Sequence, residues 1–305
     1  MGRPKRNGVS RRDLLKMTTG AAALGAFGAF ASNARAQKRG GSLKMGHIGD
    51  ITNFDCTKLV VANYPVFSQL YNVLLRLDES LKPHPELAES YEMARNGLSV
   101  TLKLRKGVSF HSGREFEAKD VAFTVEYYKE DAAAANIQKL VRNIRTVDTP
   151  DKHTAILRFE NPFPFVFDAL DNLFIVNKDT VADIKTKPAG TGPFTLANWD
   201  PGNTVTLRRF EGYWRKGYPL LDEVIVQAMP DIDAMQIAFE SGALDMIEQP
   251  RYEAVQKLMA NRDIRLVMPP VSNVISMVMN TRVKPCDDKR VRQAINYAVD
   301  RKKIV

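Results

Sequence analysis

The stretch from residue 189 to residue 226 constrains the fold of this chain more than any other part of the sequence. It begins with Gly190-Thr191-Gly192-Pro193-Phe194 and continues with two alternating segments, 204–208 and 221–226. The loop between those segments is aromatic and is bounded by glycines and a proline. Alternating β-branched residues separated by Gly and Pro predict two strands of a sheet joined by a loop.

The glycine pair in this stretch superficially resembles a nucleotide-binding loop. Such a loop needs a helix N-terminus behind it, because free backbone N–H groups at that position bind the phosphates. Pro193 and a strand-like segment follow Gly190 and Gly192 instead. The pattern therefore favours a sheet over a phosphate site.

The same residues resemble the family 5 extracellular solute-binding proteins of ABC importers, a group that includes oligopeptide-, dipeptide- and nickel-binding proteins. The resemblance extends from about residue 41 to the last residue, although Phe54-Asp55-Cys56 stands where the family usually has Leu-Asp-Pro. Its specific blocks are Gly190-Thr191-Gly192-Pro193-Phe194, Tyr213-Trp214, Leu221-Asp222-Glu223-Val224, Leu104-Arg105-Lys106-Gly107-Val108-Ser109-Phe110-His111-Ser112-Gly113 and the run from Asp288 to Arg301.

The resemblance implies an α/β fold of the periplasmic-binding-protein type, with two lobes built from mixed sheets flanked by helices. Residues 37–82 and 188–275 would form the core of the first lobe, and residues 83–187 a subdomain inserted into it. Residues 276–305 would form the crossover and the start of a truncated second lobe. Because the sequence stops within a family motif, we expect a fragment in which only the first lobe and the start of the second are present.

The N-terminus predicts export. Arg11 and Arg12 precede Leu-Leu-Lys, a weakly apolar run covers 17–31, and Ala34-Arg35-Ala36 offers a small-x-small cleavage site. This order is typical of a secretory signal of the twin-arginine type, cleaved after Ala36, which would place the mature protein in the periplasm. The alternative is a membrane anchor, but the run is shorter than the ~20 strongly apolar residues that span a bilayer.

Charge and cysteine content exclude several classes of protein. Seven basic and one acidic side chain within residues 1–36 account for +6 of the formal charge of +9, so the remainder carries +3 with no basic helix, and no nucleic-acid partner is predicted. Cys56 and Cys286 cannot form a disulfide framework or a cysteine-rich metal site. A single bridge is permitted, but we expect two unpaired, buried thiols.

The resemblance also implies where a solute would bind. In the family, the loop after the first strand and the first turn of the next helix face the ligand cleft, which makes Asp50 and the aromatic residues nearby candidates. The alternative is that Phe54 and Phe67 belong to the core and that Asp50 is a turn residue. The full set of candidate contacts is Asp50, Phe54, Tyr64, Phe67, Asn172, Phe174, with Asn136 behind them, and Asn280 on a predicted strand over residues 276–281 that crosses between the lobes.

A helix is expected to begin at residues 161–167 and to end near residue 171, and helical spacing and capping residues predict four others. The first covers residues 64–75, and Asp120 is expected to cap the second. Asp231 and Gly242 are suited to the N-cap and the left-handed C-terminal position of the third. The fourth, near the end of the chain, carries an apolar stripe formed by Val291, Ala294, Ile295 and Ala298. The rest of the second lobe would bury this stripe, and we expect a truncated chain to leave it uncovered.

No chemistry of catalysis is evident in the sequence. The four histidines are far apart, and the chain contains neither a Gly-x-Ser-x-Gly elbow nor a P-loop, so no cofactor, metal or enzyme activity is predicted. The expected function is that of a monomeric periplasmic receptor of an ABC importer, which captures a peptide-like or other small solute between two lobes and delivers it to the membrane permease. A secreted enzyme and a sensor-coupled receptor on the same fold are the alternatives. The identity of the solute is not specified by these residues.

Overall fold

The computed structural model describes residues 39–58, 63–130, 135–267 and 277–300. The predicted signal segment, with Arg11, Arg12 and Ala36, lies outside these residues. The described strands are β1 (Ser42–His47), β2 (Leu75–Leu77), β3 (Pro83–Pro85), β4 (Ala88–Met93), β5 (Ser99–Leu104), β6 (Ile144–Asp151), β7 (Thr154–Phe159), β8 (Phe194–Asp200), β9 (Thr204–Arg209), β10 (Glu223–Ala228) and β11 (Met246–Ile247). The described helices are α1 (Tyr64–Leu70), α2 (Ala118–Glu130), α3 (Ala135–Val141), α4 (Val166–Asn172), α5 (Ile232–Glu240), α6 (Tyr252–Ala260) and α7 (Lys289–Ala298).

A five-stranded mixed sheet contains the stretch that opened the sequence analysis. Its strand order is β11-β1-β10-β9-β8, with β1 parallel to β10 and β11 and with β9 antiparallel to both of its neighbours. Every second residue of β9 and β10 is buried, as the alternation predicted, and the buried ones include Val205, Leu207, Val224 and Val226. Both predicted strands, and the mixed α/β class, are therefore confirmed.

The chain between β1 and β8 builds two further sheets. Strands β2 and β3 form an antiparallel pair, and β4, β5, β7 and β6 form an antiparallel sheet in that order. Helix α2 packs on β6 and β7 and buries Val121 and Val125. The domain boundaries at residues 83 and 187 stay a prediction.

The glycines of the Gly-Thr-Gly-Pro-Phe block lie against the end of α1. A Cβ atom at Gly190 would stand 2.1 Å from the carbonyl oxygen of Leu70, and one at Gly192 would stand 2.3 Å from that of Gln69. Only glycine fits at such a distance. His111 holds the same block, because its backbone N–H donates to the carbonyl of Gly190 (2.8 Å) and its Nε2 pairs with that of Gly192 (3.0 Å).

Helix α1 is shorter than predicted. It was expected to run to residue 75, but it ends at Leu70 because the Leu70 carbonyl accepts the N–H of Gly192 (3.0 Å) and the chain turns extended at Tyr71. Leu75 then enters β2.

The predicted caps of α2 and α5 are confirmed. Asp120 accepts the N–H of Glu117 (2.9 Å), and its fully buried carboxylate pairs with Arg114 through two hydrogen bonds of 2.6 and 3.0 Å. Asp231 accepts the N–H groups of Asp233 (2.9 Å) and Ala234 (3.2 Å) at the start of α5. Gly242 follows that helix with φ at +78°.

Helix α7 forms near the end of the chain, and none of its residues is buried, so its apolar stripe is uncovered as predicted. The strand predicted over residues 276–281 is wrong in its described part. Residues 277–280 are not a strand, and residue 276 lies outside the described residues. The two cysteines are free, and Cys56 is buried as expected, whereas Cys286 is only half-buried.

Candidate functional site

The loop that follows β1 lies at the carboxyl edge of the parallel strands. Because β1 is parallel to β10 and β11, the three strands end at the same edge, which is where open α/β sheets bind ligands. Asp50 is exposed on this loop, and its Oδ1 accepts the N–H of Gly202 from the β8–β9 turn (3.1 Å). Trp199 on β8 donates from Nε1 to the carbonyl of Ile51 (3.0 Å). The β8–β9 hairpin therefore fixes the loop.

A row of six aromatic rings runs from this loop to the end of α4. The ring centroids are 5.2 to 6.5 Å apart at each step, within the range of favourable aromatic contact. Each such contact adds about 0.5–1.5 kcal/mol to the burial of the rings. The members of this aromatic row are, in order, Trp199, Phe54, Phe67, Tyr71, Phe174 and Tyr64.

Buried hydrogen bonds hold the backbone beneath the row. The Tyr71 hydroxyl donates to the carbonyl of Phe54 (2.9 Å), and burial raises the pKa of Tyr71 well above its ordinary value. Asp55 is buried and accepts the hydroxyl groups of Thr57 (2.7 Å) and Tyr127 (3.2 Å). Burial also raises the pKa of the Cys56 thiol to about 12, so this thiol is protonated and unreactive at neutral pH.

At the other end of the row, Tyr64 belongs to a polar cluster centred on Arg76. The Arg76 guanidinium contacts the Tyr64 hydroxyl, bonds Glu86 (3.0 Å) and lies 3.5 Å from Asp171. Burial raises the pKa of Asp171, against the attraction of Arg76, and raises the pKa of Tyr64 to about 12. Asp171 also accepts the N–H of Leu77 (3.2 Å), so the Arg76 cluster fixes the end of α4 against β2.

The Tyr-Trp block of the sequence supports this cluster from the side. Trp214 donates from Nε1 to the Asn72 side chain (3.2 Å), and Asn72 in turn donates to Glu86 (2.6 Å). The Arg105 guanidinium stacks over the Trp214 ring at 4.7 Å from the centroid. Residues that are far apart in the sequence therefore meet at Glu86.

An open cavity of about 650 Å³ lies beside the hairpin that holds the loop. His111, Asp183, Lys187 and Trp199 are among its lining residues. Burial lowers the pKa of His111 to about 4, so its ring is neutral at pH 7. Among the described residues, no three His, Cys, Asp or Glu side chains form a group suited to a metal ion. None of the helices described is both long enough and apolar enough to span a bilayer.

Comparison with known proteins establishes the family. Residues 82–305 match the model of the bacterial extracellular solute-binding proteins, family 5 Middle. The chain belongs to this family. The glutathione-binding protein GsiB of Escherichia coli (strain K12) is 29% identical over 246 residues, which are 79% of this chain and 48% of GsiB. The chain thus spans about half the length of the curated relatives it matches.

Two solved structures support the same fold. The oligopeptide-binding protein AppA of Bacillus subtilis, in complex with a nonapeptide, has a TM-score of 0.73 at 25% identity, covering 88% of this chain and 56% of its own. NikZ of Campylobacter jejuni, in complex with Ni(L-His), has a TM-score of 0.75 at 22% identity, covering 87% of this chain and 54% of its own. These coverages are consistent with a partial two-lobe fold, as predicted.

The structure brings most of the predicted contact residues together. The rings of Phe54, Phe67 and Phe174 form the middle of the aromatic row, but they are buried in the core and offer almost no surface to a solute. Tyr64 and Asn172 are half-buried at one end of the row, and Asp50 is exposed near the other. The Asn172 side chain donates to the carbonyl of Asp168 (2.9 Å).

Two predicted residues are not part of this arrangement. Asn280 is exposed, and its side chain accepts the N–H of Arg282 (3.0 Å), as a turn residue does. The side chain of Asn136 lies outside the described part of the chain. Residues that sequence reasoning missed are Trp199, Arg76 and Asp171, which are half-buried, and His47, which is fully buried. No local pattern in the sequence distinguishes them from other residues of their type.

Proposed function

We propose that this chain carries the solute-binding first lobe of an exported receptor of an ABC importer, which captures a peptide-like or other small solute and delivers it to a membrane permease. The observation that carries the proposal is the assembly of the loop at Asp50, the start of α1 and the end of α4 around one aromatic row. The end of α4 lies more than a hundred residues away in the sequence from both the loop at Asp50 and the start of α1. A rigid core under an exposed loop is the arrangement that a preformed binding face needs.

The described surface fits a polar solute better than an apolar one. The buried rings provide rigidity, while the groups that remain accessible at the face are the Asp50 carboxylate and the half-buried Tyr64 and Asn172. Hydrogen-bonding groups on a rigid base provide orientation and specificity for small ligands. The names of GsiB and AppA mention glutathione and a nonapeptide, which supports a peptide-like class for this chain.

Export is part of the proposal and rests on the sequence. The paired Arg11 and Arg12, the apolar run and the site after Ala36 support a cleaved twin-arginine signal and a periplasmic location. We propose that the receptor is a monomer and that it delivers its solute to permease subunits. A sensor-coupled receptor remains the alternative partner arrangement, and no residue described here favours it.

The test is ligand-induced stabilisation of the full-length protein without turnover. Thermal unfolding is measured with glutathione, a dipeptide set, a nonapeptide and nickel–histidine, and each mixture is then analysed by mass spectrometry. A solute present at about 100 times its Kd stabilises the native state by about 2.7 kcal/mol. We expect one class to raise the Tm and to be recovered unchanged.

The matched variants are Asp50→Asn, at the proposed face, and Glu92→Gln, on the exposed side of the separate β4–β5 sheet. Asp50→Asn is expected to weaken the effect of the solute, and Glu92→Gln to leave it unchanged. Conversion of the solute into product would support the enzyme alternative and contradict the proposal. Failure of every class to raise the Tm would contradict the proposed solute classes.

A further inference from the structure

His47, the last residue of β1, is completely buried at the carboxyl edge of the sheet and contacts two other segments. Its Nδ1 forms an ion pair with Glu248, which directly follows β11. Its Nε2 lies 3.3 Å from the side-chain oxygen of Asn63, which precedes α1. One ring therefore connects the ends of β1 and β11 with the start of α1.

Both partners of the His47 ring are also bonded to the loop 48–50. Glu248 accepts the backbone N–H of Ile48 (3.3 Å), and Asn63 donates from its side-chain nitrogen to the carbonyl of Asp50 (3.4 Å). The loop has little room to shift, because a Cβ atom at Gly49 would stand 3.1 Å from the Asn63 oxygen and 3.2 Å from His47 Nε2. The loop that presents Asp50 is thus enclosed by His47 and its two partners.

The groups around the ring favour its protonated form. The Asp50 carbonyl can only accept, so Asn63 must direct its nitrogen toward Asp50 and its oxygen toward His47 Nε2. The Nδ1 atom lies at ion-pair distance from the Glu248 carboxylate but makes no aligned hydrogen bond to it. A ring that donates from Nε2 and carries a positive charge beside Glu248 satisfies both contacts, and an imidazole with two N–H groups is a cation. A neutral ring would leave one of the two contacts unmade.

We propose that His47 is a positioning residue that holds the loop 48–50 only while its ring is protonated, which makes the proposed solute-binding face sensitive to pH. The effect on the loop is independent of any solute, whereas an effect on solute affinity rests on the proposed function. The pKa of His47 is raised in agreement with this: burial alone would lower it, but the close contact and charge of Glu248, with Asn63, outweigh burial.

Other charged groups near the ring do not account for the proposed pH dependence of the loop 48–50. Among the described residues, the Glu248 carboxylate contacts the ring, and Asp50, which lines the same small space, has its carboxylate bonded to the N–H of Gly202. From the neighbouring strands and turn, Asn203, Thr204, Val226 and Ala228 face the same small space and carry no charge. The proton on His47 is therefore the group whose loss changes the contacts of the loop.

The sign of the pH effect follows from the raised pKa. Below the ordinary pKa of about 6.5 the native and unfolded states both bind the proton, and the stabilisation is fully present. It is lost as the pH rises through the native pKa of His47. The loop is expected to be ordered at about pH 6 and to loosen at pH values above the native pKa of His47.

The test uses the full-length protein without solute. NMR titration of the histidine Cε1–H signals, assigned with His47→Gln, gives the pKa of His47, and hydrogen exchange of peptides from residues 45–58 reports the loop. After correction for intrinsic rates, we expect protection of this segment to fall by about tenfold or more across the titration, because a charged hydrogen bond is lost. Peptides from β4 and β5 should not change.

The variant Glu248→Gln removes the charge of the carboxylate but keeps a side chain of similar size and shape. A glutamine amide can accept the Ile48 N–H and donate to a neutral ring, so the loop should stay protected at both pH values while the pKa of His47 falls. Glu92→Gln should reproduce the wild-type behaviour. A pKa of His47 at or below 6.5, or loop protection that is equal on both sides of the His47 titration in the wild type, would overturn the proposal.

Solute binding is measured separately, with glutathione and a dipeptide as probes at the same pH values. Weaker binding at the higher pH in the wild type, but not in Glu248→Gln, would extend the role of His47 to affinity. If the loop responds to pH and no probe binds, the positioning role stands and the proposed function loses support. If a probe binds but the protection of the loop does not change with pH, the positioning role is wrong and the proposed function is unaffected.

Discussion

The backbone N–H of Gly192 donates a hydrogen bond of 3.0 Å to the carbonyl of Leu70 and thereby ends helix α1. This contact joins the five-stranded sheet to the first helix of the proposed binding face. It depends on the absence of a side chain, since a Cβ atom at position 192 would stand 2.5 Å from the Leu70 carbonyl carbon and 2.3 Å from the Gln69 oxygen. Backbone atoms at such distances must move before any side chain can be accommodated.

We therefore expect Gly192→Ala to lower the free energy of unfolding by about 4 kcal/mol or more, which is exceptional for a single substitution. The measurement is urea denaturation of the full-length protein. Gly107→Ala is the control, because Gly107 has open space around it and only a left-handed φ of +69°, which costs about 1–2 kcal/mol. Equal losses in the two variants would mean that the contact with α1 is not what requires glycine.

The buried carboxylate of Asp120 provides a second prediction. Arg114 neutralises it through two hydrogen bonds, and the Asp120 side chain is fully buried. Arg114→Met would leave that charge without its partner and is expected to cost about 3 kcal/mol or more. Arg158→Met is the matched control, because its partner Asp148 is exposed and such a pair contributes about 0–1 kcal/mol.

Addition of Asp120→Asn to the Arg114→Met variant should recover part of the loss, since the buried charge is then removed. A double variant that is less stable than Arg114→Met alone would show that packing, not charge, explains the effect.

The sequence predicted the features that depend on local pattern. Alternation identified β9 and β10, and side-chain chemistry identified Asp231 as the N-cap of α5. The end of α1 was predicted five residues too late, at residue 75 instead of Leu70, because a contact with Gly192, far away in the sequence, competes for its last carbonyl. Helical periodicity alone does not contain that information.

The candidate site was harder to predict from the sequence because it also depends on contacts between distant segments. Phe54 and Phe174 were chosen as contacts by residue type and position, but whether a ring faces the core or the solvent depends on neighbours supplied by other segments. Arg76 and Asp171 meet only after β2 and α4 come together. Periodicity predicted which residues of α7 share an apolar face, but what covers that face depends on segments outside the helix, and none of the helix residues is buried.

The neutral ring of His111 predicts a loss of stability in acid. Burial lowers its pKa to about 4, whereas the unfolded chain binds the proton at about 6.5. Because the unfolded state binds more protons between these values, the stability contributed by His111 is present above pH 6.5 and falls as the pH decreases toward 4, by up to about 3 kcal/mol. The measurement is the free energy of unfolding at a series of pH values.

His111→Gln is the comparison for this prediction. Glutamine keeps an N–H donor for the Gly192 carbonyl but does not titrate, so the difference between the two proteins isolates the histidine from the carboxylates that they share. If the free energies of unfolding of the wild type and the variant change with pH in parallel, the loss of stability in acid does not come from His111.

The two thiols should differ in reactivity. Cys56 is buried with a pKa of about 12, whereas Cys286 is half-buried. Since the thiolate is the reactive form, iodoacetamide at about pH 8 should label Cys286 in the folded protein and reach Cys56 only after unfolding. Mass spectrometry of the labelled peptides gives the result, and Cys286→Ser should remove labelling of the folded state. Rapid labelling of Cys56 in the native protein would show that the loop beneath the aromatic row opens.

One pair of variants distinguishes a residue that supports the proposed face from one that would contact the solute. Phe54 has no exposed surface and touches the rings of Phe67 and Trp199, so Phe54→Leu should lower the free energy of unfolding by about 1–3 kcal/mol. Asp50→Asn keeps the oxygen that accepts the Gly202 N–H and should change stability by less than about 0.5 kcal/mol.

Binding should show the opposite order, because in the proposed face Asp50 offers a charge to the solute and Phe54 does not. Loss of a charged hydrogen bond is expected to weaken affinity by about tenfold or more for Asp50→Asn, measured by calorimetry with the solute that raises the Tm of the wild type. Phe54→Leu should bind with nearly unchanged affinity at a temperature where it is fully folded, because its ring makes no contact outside the core. A larger loss of affinity for Phe54→Leu than for Asp50→Asn would mean that solute reaches the aromatic row itself, and that the core opens to admit it.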